Sequence, residues 1–195
     1  MVLDVNHDVN QGDVIEACQS GDEEAFRALF ESHKDKIYSI ALRYSGDPAT
    51  AMDIAQETFL KLLSSLQQFR GDSSFDSWLY RLVVNCCLDH HRRRRRFLPL
   101  MDDVLEEALD VFRAPRESAL HDLLRQEQEE RVQQVVAQLP DEQRMVVVLR
   151  YTEGLSYEEI AGLLGCRRGT VASRLNRAHK ALERRLSQFR KVRMA

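Results

Sequence analysis

The sequence predicts an all-α protein made of two small helical domains joined by an acidic, flexible linker. Apolar residues recur at spacings of three and four along most of the chain, as in amphipathic helices. Only four prolines and eight glycines interrupt the 195 residues. The composition, 44% apolar and 30% charged, is that of a soluble folded protein. The longest aliphatic run, Met145 to Leu149, is far too short to cross a bilayer, so we expect a cytoplasmic protein without membrane insertion.

The N-terminal domain is predicted at residues 1–96 and contains three helices. The first begins after Asp22, the second runs from about Ala49 to Phe69, and the third runs from about Phe75 into the arginines at 92–96. The residues of the second helix predicted to be buried are Met52, Ala55, Phe59, Leu62, Leu63 and Leu66.

The linker is predicted at residues 97–119, because this stretch is acidic and carries Pro99 and Pro115. The C-terminal domain then occupies residues 120–195. Its helices are interrupted near Pro140 and Gly154, and two final helices meet around Gly165.

These two final helices have the pattern of a DNA-binding helix-turn-helix. Ser156 and Glu159 form a capping box that begins the first helix, and Gly165 supplies the left-handed residue of the turn. The second helix has an apolar stripe, made of Val171, Leu175, Ala178, Leu182 and Leu186. Its other face carries Ser173, Arg174, Arg177, Lys180 and Arg184. We therefore predict a helix that places its N-terminal residues in the major groove, and the alternative is a helical hairpin with a solvated basic face.

The charge distribution supports a polyanionic partner for the C-terminal end. The formal net charge is −3, yet residues 97–130 hold ten acidic and three basic residues, whereas residues 166–195 hold ten basic and one acidic. Arg167 and Arg168 stand at the positive end of the helix dipole, where they are unfavourable unless an anion binds there. A chain with this segregation can bind a polyanion with its C-terminal end and repel it with its acidic middle.

The third helix of the N-terminal domain combines an aromatic side chain with cations and an amide. Helical spacing places Trp78, Arg81, Asn85 and Arg92 on one side, a combination suited to base stacking and phosphate binding. Core packing of Trp78 and Tyr80 and a solvated arginine tail are the alternatives. Cys86 and His90 lie one helical turn apart and could share a metal ion, but no second ligand cluster is near in sequence. The four cysteines do not form a disulfide framework, and we expect them to be reduced.

Three stretches together resemble the extracytoplasmic-function (ECF, group IV) sigma factors of the sigma-70 family. They are ATAMDIAQETFLKLLSSL, FRGDSSFDSWLYRLVVNCCLDHHRRRRR and LPDEQRMVVVLRYTEGLSYEEIAGLLGCRRGTVASRLNRAHKALERRL. The resemblance implies a non-enzymatic, cofactor-free subunit that binds core RNA polymerase and directs promoter-specific initiation. It also implies promoter DNA and an anti-sigma factor as partners and a monomer in the free state.

The resemblance assigns roles to three groups of residues. Those matching the polymerase-docking motif are Asp53, Ile54, Gln56, Glu57, Phe59 and Leu60. Those matching the loop that captures a flipped minus-ten base are Gly71, Asp72, Ser73, Ser74 and Phe75, and those of the strand-separating helix are Trp78, Arg81 and Asn85. Those matching the minus-thirty-five recognition helix are Arg167, Arg168, Thr170, Ser173, Arg174 and Arg177.

The chain departs from this family pattern at Arg167 and Arg168, and its linker is acidic. Family members commonly have Ser or Thr at the position of Arg167 and an acidic or small residue at that of Arg168. The family's linker threads toward the polymerase active-site cleft, where acidic residues would mimic nucleic acid. A merely solubilising linker is the alternative. The acidic linker residues here are Asp102, Asp103, Glu106, Glu107 and Asp110.

Parts of the sequence are compatible with two other functions. A free-standing helix-turn-helix regulator would use the same C-terminal helices, but it would have no need of a base-capturing loop. A small metalloenzyme or nuclease would use Asp89, His90 and His91, a cluster that stands alone.

Overall fold

A computed structural model describes residues 5–97 and 132–192, and all secondary structure in these two ranges is helical. Residues 132–137 are helical as well. The elements are α1 Val5–Gln19, α2 Glu23–Ser45, α3 Pro48–Ser65, a 3-10 helix Leu66–Gln68, α4 Phe75–Phe97, α5 Asp141–Tyr151, α6 Tyr157–Leu163 and α7 Arg168–Val192. The prediction of an all-helical chain is therefore confirmed for the described part.

The chain divides into two units, Met1–Cys86 and Cys87–Ala195. This division falls inside α4, so the predicted boundary at residue 96 stays a prediction. The predicted linker lies outside the described residues, apart from Phe97 at the end of α4, and so does the beginning of the predicted C-terminal domain.

Aspartate caps define the beginnings of α2 and α3. The Asp22 side chain accepts hydrogen bonds from the backbone N–H groups of Glu24 and Ala25, and Asp47 accepts one from Thr50 at 2.7 Å. α2 ends at Gly46, which has a left-handed φ of 73°. The predicted helix start at Asp22 is confirmed, since side-chain oxygens satisfy backbone donors that have no partner within the helix.

The predicted buried face of α3 is partly wrong. α3 buries Ala51, Ile54, Ala55, Thr58 and Leu62. Met52 and Leu63 are instead 50% and 55% exposed. α3 has apolar residues around more than half of its circumference, and spacing alone does not show which of them face α2. Leu66 is buried as predicted, but in the 3-10 helix that follows α3.

The sequence pattern predicts no helix before Asp22, yet α1 occupies Val5–Gln19. Apolar residues are sparse in this segment, which weakens the helical pattern. Ile15 is nevertheless buried, and α1 packs against α2 and the 3-10 helix. Tertiary packing of a few side chains therefore stabilises a helix whose own sequence signal is weak.

In the second unit, α5, α6 and α7 pack around an aliphatic core. The core includes Leu139, Met145, Leu149, Ile160, Val171, Leu175 and Ala178. The predicted apolar stripe of α7 leaves this core at its end, where Leu182 is half-buried and Leu186 is exposed. α7 has 25 residues and α5 has 11. Because these lengths correspond to roughly 37 Å and roughly 16 Å, the last turns of α7 extend past that neighbour.

Candidate nucleic-acid and polymerase interfaces

The capping box predicted for the helix-turn-helix is present at the start of α6. The Ser156 backbone N–H donates to Glu159 Oε2 at 2.7 Å, and the Glu159 N–H donates to Ser156 Oγ at 3.2 Å. Hydrogen bonds from the Ser156 side chain and backbone to the Glu159 carboxylate lower the pKa of Glu159. The two bonds of the capping box satisfy two backbone donors and fix the direction in which α6 begins.

A tight turn connects α6 to α7. Gly165 has a φ of 59°, in the left-handed region, and the Cys166 N–H donates to the Ala161 carbonyl at 3.0 Å. Both Ile160 and Ala161 are buried, as predicted. The turn connects the end of α6 to the start of α7, which confirms the predicted helix–turn–helix geometry.

Most of the predicted minus-thirty-five residues lie on an accessible face of α7. Arg167 immediately precedes the helix, and its carbonyl accepts from the Thr170 N–H at 2.8 Å. Arg168 Nε lies 2.8 Å from Glu158 Oε1 in an exposed ion pair with α6. Arg167, Arg168, Ser173 and Arg177 are exposed, and Thr170 is half-buried. This part of α7 therefore presents cations to solvent at a positive helix end.

Arg174 differs from these arginines, because its side chain is only 19% exposed. One guanidinium nitrogen lies 2.6 Å from Glu142 Oε2, and another donates to Cys166 Sγ at 3.8 Å. Arg174 thus links α5, the turn and α7. Glu142, which pairs with Arg174, and Glu158, which pairs with Arg168, were missed as neighbours of the basic face, since neither pairing follows from helical spacing within one element.

The predicted base-capturing loop joins the 3-10 helix to α4. Gly71 has a left-handed φ of 77°, and Gly71, Asp72 and Ser74 are exposed. Ser74 Oγ accepts from the Ser77 N–H at 3.3 Å and donates to Ser77 Oγ at 2.8 Å. Ser74 therefore ends the loop by capping α4, whereas Ser73 is half-buried within it.

Three aromatic rings pack beneath this loop. The ring centroid of Phe69 lies 5.7 Å from that of Phe75 and 5.2 Å from that of Trp78, and Phe75 and Trp78 are 5.7 Å apart. Phe75 is buried, so it supports the loop rather than presenting its ring to a base. Trp78 is half-buried and keeps part of its ring accessible. Phe69 was missed as a site residue, although an aromatic directly before the loop is a usable signal.

Arg81 and Asn85 continue from Trp78 along α4 at spacings of three and four, and both are exposed. The helix turns Leu79 and Val83 into the core. Tyr80 is half-buried, with Lys36 Nζ 4.6 Å from its ring centroid. The predicted row of aromatic, cation and amide is therefore present on an accessible face.

The residues matched to the polymerase-docking motif do not all lie on one surface. Asp53, Gln56 and Leu60 are exposed, and Leu60 reaches 68%. Ile54 is only 1% exposed and belongs to the core. Phe59 packs on Phe30 with ring centroids 4.4 Å apart.

Of the six residues matched to the docking motif, Ile54 is thus buried, and Glu57 and Phe59 are half-buried. Glu57 is half-buried and pairs with Lys61 at 3.0 Å. The exposed Met52 and Leu63 join Asp53, Gln56 and Leu60 on the outer face of α3. We call these five residues the outer face of α3.

The cysteine–histidine stretch of α4 does not form a metal site in the part of the chain that the structure describes. Cys86 and Cys87 are fully buried free thiols. Burial raises the pKa of the Cys86 thiol, an effect opposed by a hydrogen bond with Thr58. No group of three or more His, Cys, Asp or Glu side chains within residues 12–93 and 132–187 is placed to hold a metal ion. Likewise, no described helix is long and apolar enough to span a membrane.

Two family models match the chain. The model for sigma-70 region 2 matches residues 29–97, and the model for sigma-70, region 4 matches residues 129–182. The first match contains α3, the loop and α4, and the second contains the helix-turn-helix.

Curated relatives extend over nearly the whole chain. RNA polymerase sigma-H factor of Pseudomonas aeruginosa is 39% identical over 178 residues, which are 89% of this chain and 92% of the relative. ECF RNA polymerase sigma-E factor of Escherichia coli strain K12 is 37% identical over 183 residues, with the same two shares of 89% and 92%.

Two solved structures share the fold. One is CnrH in complex with the cytosolic domain of CnrY, with a TM-score of 0.63 and 24% identity, covering 90% of this chain and 96% of that chain. The other is the sigma factor RpoE in complex with the anti-sigma factor NepR from Bartonella quintana, with a TM-score of 0.60 and 24% identity, covering 83% and 96%. The two solved structures show the shared fold, and the family models and the curated relatives establish that the chain belongs to the ECF sigma factors of the sigma-70 family.

Proposed function

We propose that this sigma factor divides promoter recognition between its two units while the outer face of α3 binds core RNA polymerase. α7 reads the minus-thirty-five duplex with its first turns. The loop at 70–74, with Trp78, Arg81 and Asn85 of α4, captures and separates the minus-ten strands. One observation carries the proposal: exposed arginines begin α7, where they are unfavourable to the helix dipole of the unbound chain and attract an anionic duplex.

The outer face of α3 supports the docking role. It combines the acidic and amide side chains of Asp53 and Gln56 with exposed Met52, Leu60 and Leu63. Exposed apolar groups within one helix face are typical of a surface that a partner covers. Ile54 and Phe59 act from beneath, by packing α3 against the core of its unit.

An anti-sigma factor is the second partner that we propose. The solved relative RpoE is in complex with the anti-sigma factor NepR, and CnrH is in complex with the cytosolic domain of CnrY. An inhibitor that covered the outer face of α3 would compete with polymerase for the same apolar residues. We further propose that the free chain is a cytoplasmic monomer with no catalytic role, since sigma factors are non-enzymatic initiation factors.

The alternative of a free-standing regulator is not favoured. The region 2 match covers α3, the loop and α4, which duplex binding alone does not need. The metalloenzyme hypothesis lacks a suitable ligand group among the described residues.

Reconstitution with core polymerase tests the proposal. We expect the purified chain to form a stable complex with core polymerase and to produce a promoter-specific run-off transcript. Arg174→Ala should weaken upstream duplex binding and leave polymerase pull-down unchanged. Absence of a stable complex would contradict the proposal, and equal loss of both activities in Arg174→Ala would contradict the division of labour.

A further inference from the structure

The end of α1 is joined to the end of the 3-10 helix by side-chain amides. Gln19 Nε2 donates to the Leu66 carbonyl at 2.8 Å and to the Phe69 carbonyl at 3.0 Å. In the opposite direction, Gln67 Nε2 donates to the Gln19 carbonyl. The Gln19 and Phe69 carbonyls lie at or just beyond helix ends, where intrahelical donors run out, whereas the Leu66 carbonyl also accepts from the Phe69 N–H at 3.1 Å. Each glutamine therefore satisfies backbone groups of the other's element.

This amide pair fixes the residue from which the base-capturing loop departs. Phe69 directly precedes residues 70–74, its carbonyl accepts from Gln19, and its ring packs on Phe75 and Trp78 beyond the loop. At the far end, Ser74 caps α4 through Ser77. The loop is thus held at both ends, whereas Gly71 and Asp72 between them are exposed.

We infer that Gln19 is a positioning residue for minus-ten base capture, acting through the Phe69 carbonyl on a loop that it does not belong to. This inference rests on the proposed function of the loop. Without the Gln19 amide, the Phe69 carbonyl loses a donor and the first residue of the loop is free to shift relative to the aromatic cluster. Geometry at a recognition site tolerates little displacement, so the loss falls on capture of the base.

The test uses reconstituted holoenzyme and two fork-junction DNAs of the same sequence. One DNA carries the intact non-template minus-ten strand, and the other has an abasic site at the captured nucleotide. Gln19→Met keeps the length of the side chain and removes its donor. Gln68→Ala, an exposed glutamine of the same 3-10 helix, is the matched control. Gln67→Ala removes the reciprocal bond from the other side.

We expect Gln19→Met to weaken binding of the intact fork by about 3–10-fold, the ratio that one net hydrogen bond supports. On the abasic fork, Gln19→Met and wild type should bind equally, because no base remains to be captured. Gln67→Ala should show the same dependence on the captured base with a smaller loss, and Gln68→Ala should match wild type on both DNAs.

Equal losses on the two forks would overturn the inference, because they would show a general structural effect. Wild-type binding of the intact fork by Gln19→Met would overturn it as well. If thermal unfolding shows that Gln19→Met is not folded, the comparison of the intact and abasic forks is made with Gln67→Ala instead. Failure of the proposed function has a different signature: the wild-type holoenzyme itself would not distinguish the intact fork from the abasic one.

Discussion

Arg174 and Arg177 lie on one face of α7 but have different surroundings. Arg174 is held by Glu142 and is mostly covered, whereas Arg177 is exposed. Both face the proposed duplex, yet only Arg174 also connects α7 to α5. Sequence reasoning grouped them, because a helical face is readable from spacing and an ion pair across 32 positions is not.

Arg177→Ala should weaken duplex binding and reduce the salt dependence of binding by about one unit of slope, as expected for one lost phosphate contact. Its thermal unfolding should match wild type. Arg174→Ala should weaken binding and also lower the free energy of unfolding by about 0.2–1 kcal/mol, the range for a partly exposed ion pair. Fluorescence anisotropy at several salt concentrations and urea unfolding measure the two effects, and an unchanged slope in Arg177→Ala would contradict the assignment.

The Ser156–Glu159 capping box predicts a pH dependence with a definite sign. Hydrogen bonds from Ser156 lower the pKa of Glu159 in the folded state. The stabilisation is therefore present above the unfolded-state pKa and is lost as the pH falls through the folded-state pKa.

Ser156→Ala should lower the free energy of unfolding by about 0.5–2 kcal/mol at neutral pH. The difference from wild type should shrink in acid, where Glu159 is protonated in both proteins. Urea unfolding across the acidic range measures this. Ser187→Ala is the control, since that exposed hydroxyl donates to the Arg184 carbonyl of its own helix. A Ser156→Ala penalty that is independent of pH would contradict this account of the cap.

At the scale of elements, the turn between α6 and α7 depends on one backbone conformation. A Cβ added at Gly165 would meet no atom within 4 Å, but its φ of 59° is strained for an L-residue. Gly165→Ala should therefore cost about 1–2 kcal/mol of unfolding free energy. Gly162→Ala, within α6 and equally uncrowded, should be neutral or stabilising by up to about 1 kcal/mol. Equal effects of the two substitutions in thermal unfolding would contradict the requirement for a left-handed residue.

The two faces of α3 should respond oppositely to loss of a leucine. Leu60→Ala, on the outer face, should lower affinity for core polymerase and leave unfolding unchanged. Leu62→Ala, in the core, should lower the free energy of unfolding by about 2–5 kcal/mol. Titration of core polymerase and urea unfolding of both variants separate the effects. Unchanged polymerase affinity in Leu60→Ala would remove Leu60 from the docking surface.

Elements with strong local signals were predictable, and those that depend on tertiary packing were not. The cap at Asp22, the capping box at Ser156 and the left-handed Gly165 follow from residue chemistry and are present. α1 lacked such a signal, because its burial depends on packing against other elements. The assignment of Met52 and Leu63 to the core failed for a related reason: α3 has more apolar positions than its neighbours cover.

For the candidate sites, the sequence predicted which residues share a helix face but not which distant residues hold them in place. Trp78, Arg81 and Asn85 lie together on α4 because one helix places them there at fixed spacing. Gln19 and Glu142 lie far along the chain from the groups they hold, and only the fold brings them near. The residues proposed to contact DNA were therefore predictable from the sequence. The residues that position them were visible only in the structure.

At the scale of the whole molecule, the segregation of charge accords with binding to DNA and to a protein by different parts of one chain. The basic residues 166–195 contain α7, and the outer face of α3 is apolar and acidic. A net charge of −3 gives no general attraction to DNA, so duplex binding depends on where the arginines lie.

Strand opening shows whether this chain directs the melting of promoter DNA. Promoter duplexes are selected by the holoenzyme from a random library, and permanganate reactivity then reports unpaired thymines in the minus-ten region. We expect reactive thymines only when the chain and core polymerase are both present. Selected duplexes that bind the holoenzyme but stay closed, or that open equally with core polymerase alone, would contradict the claim that this chain directs promoter melting.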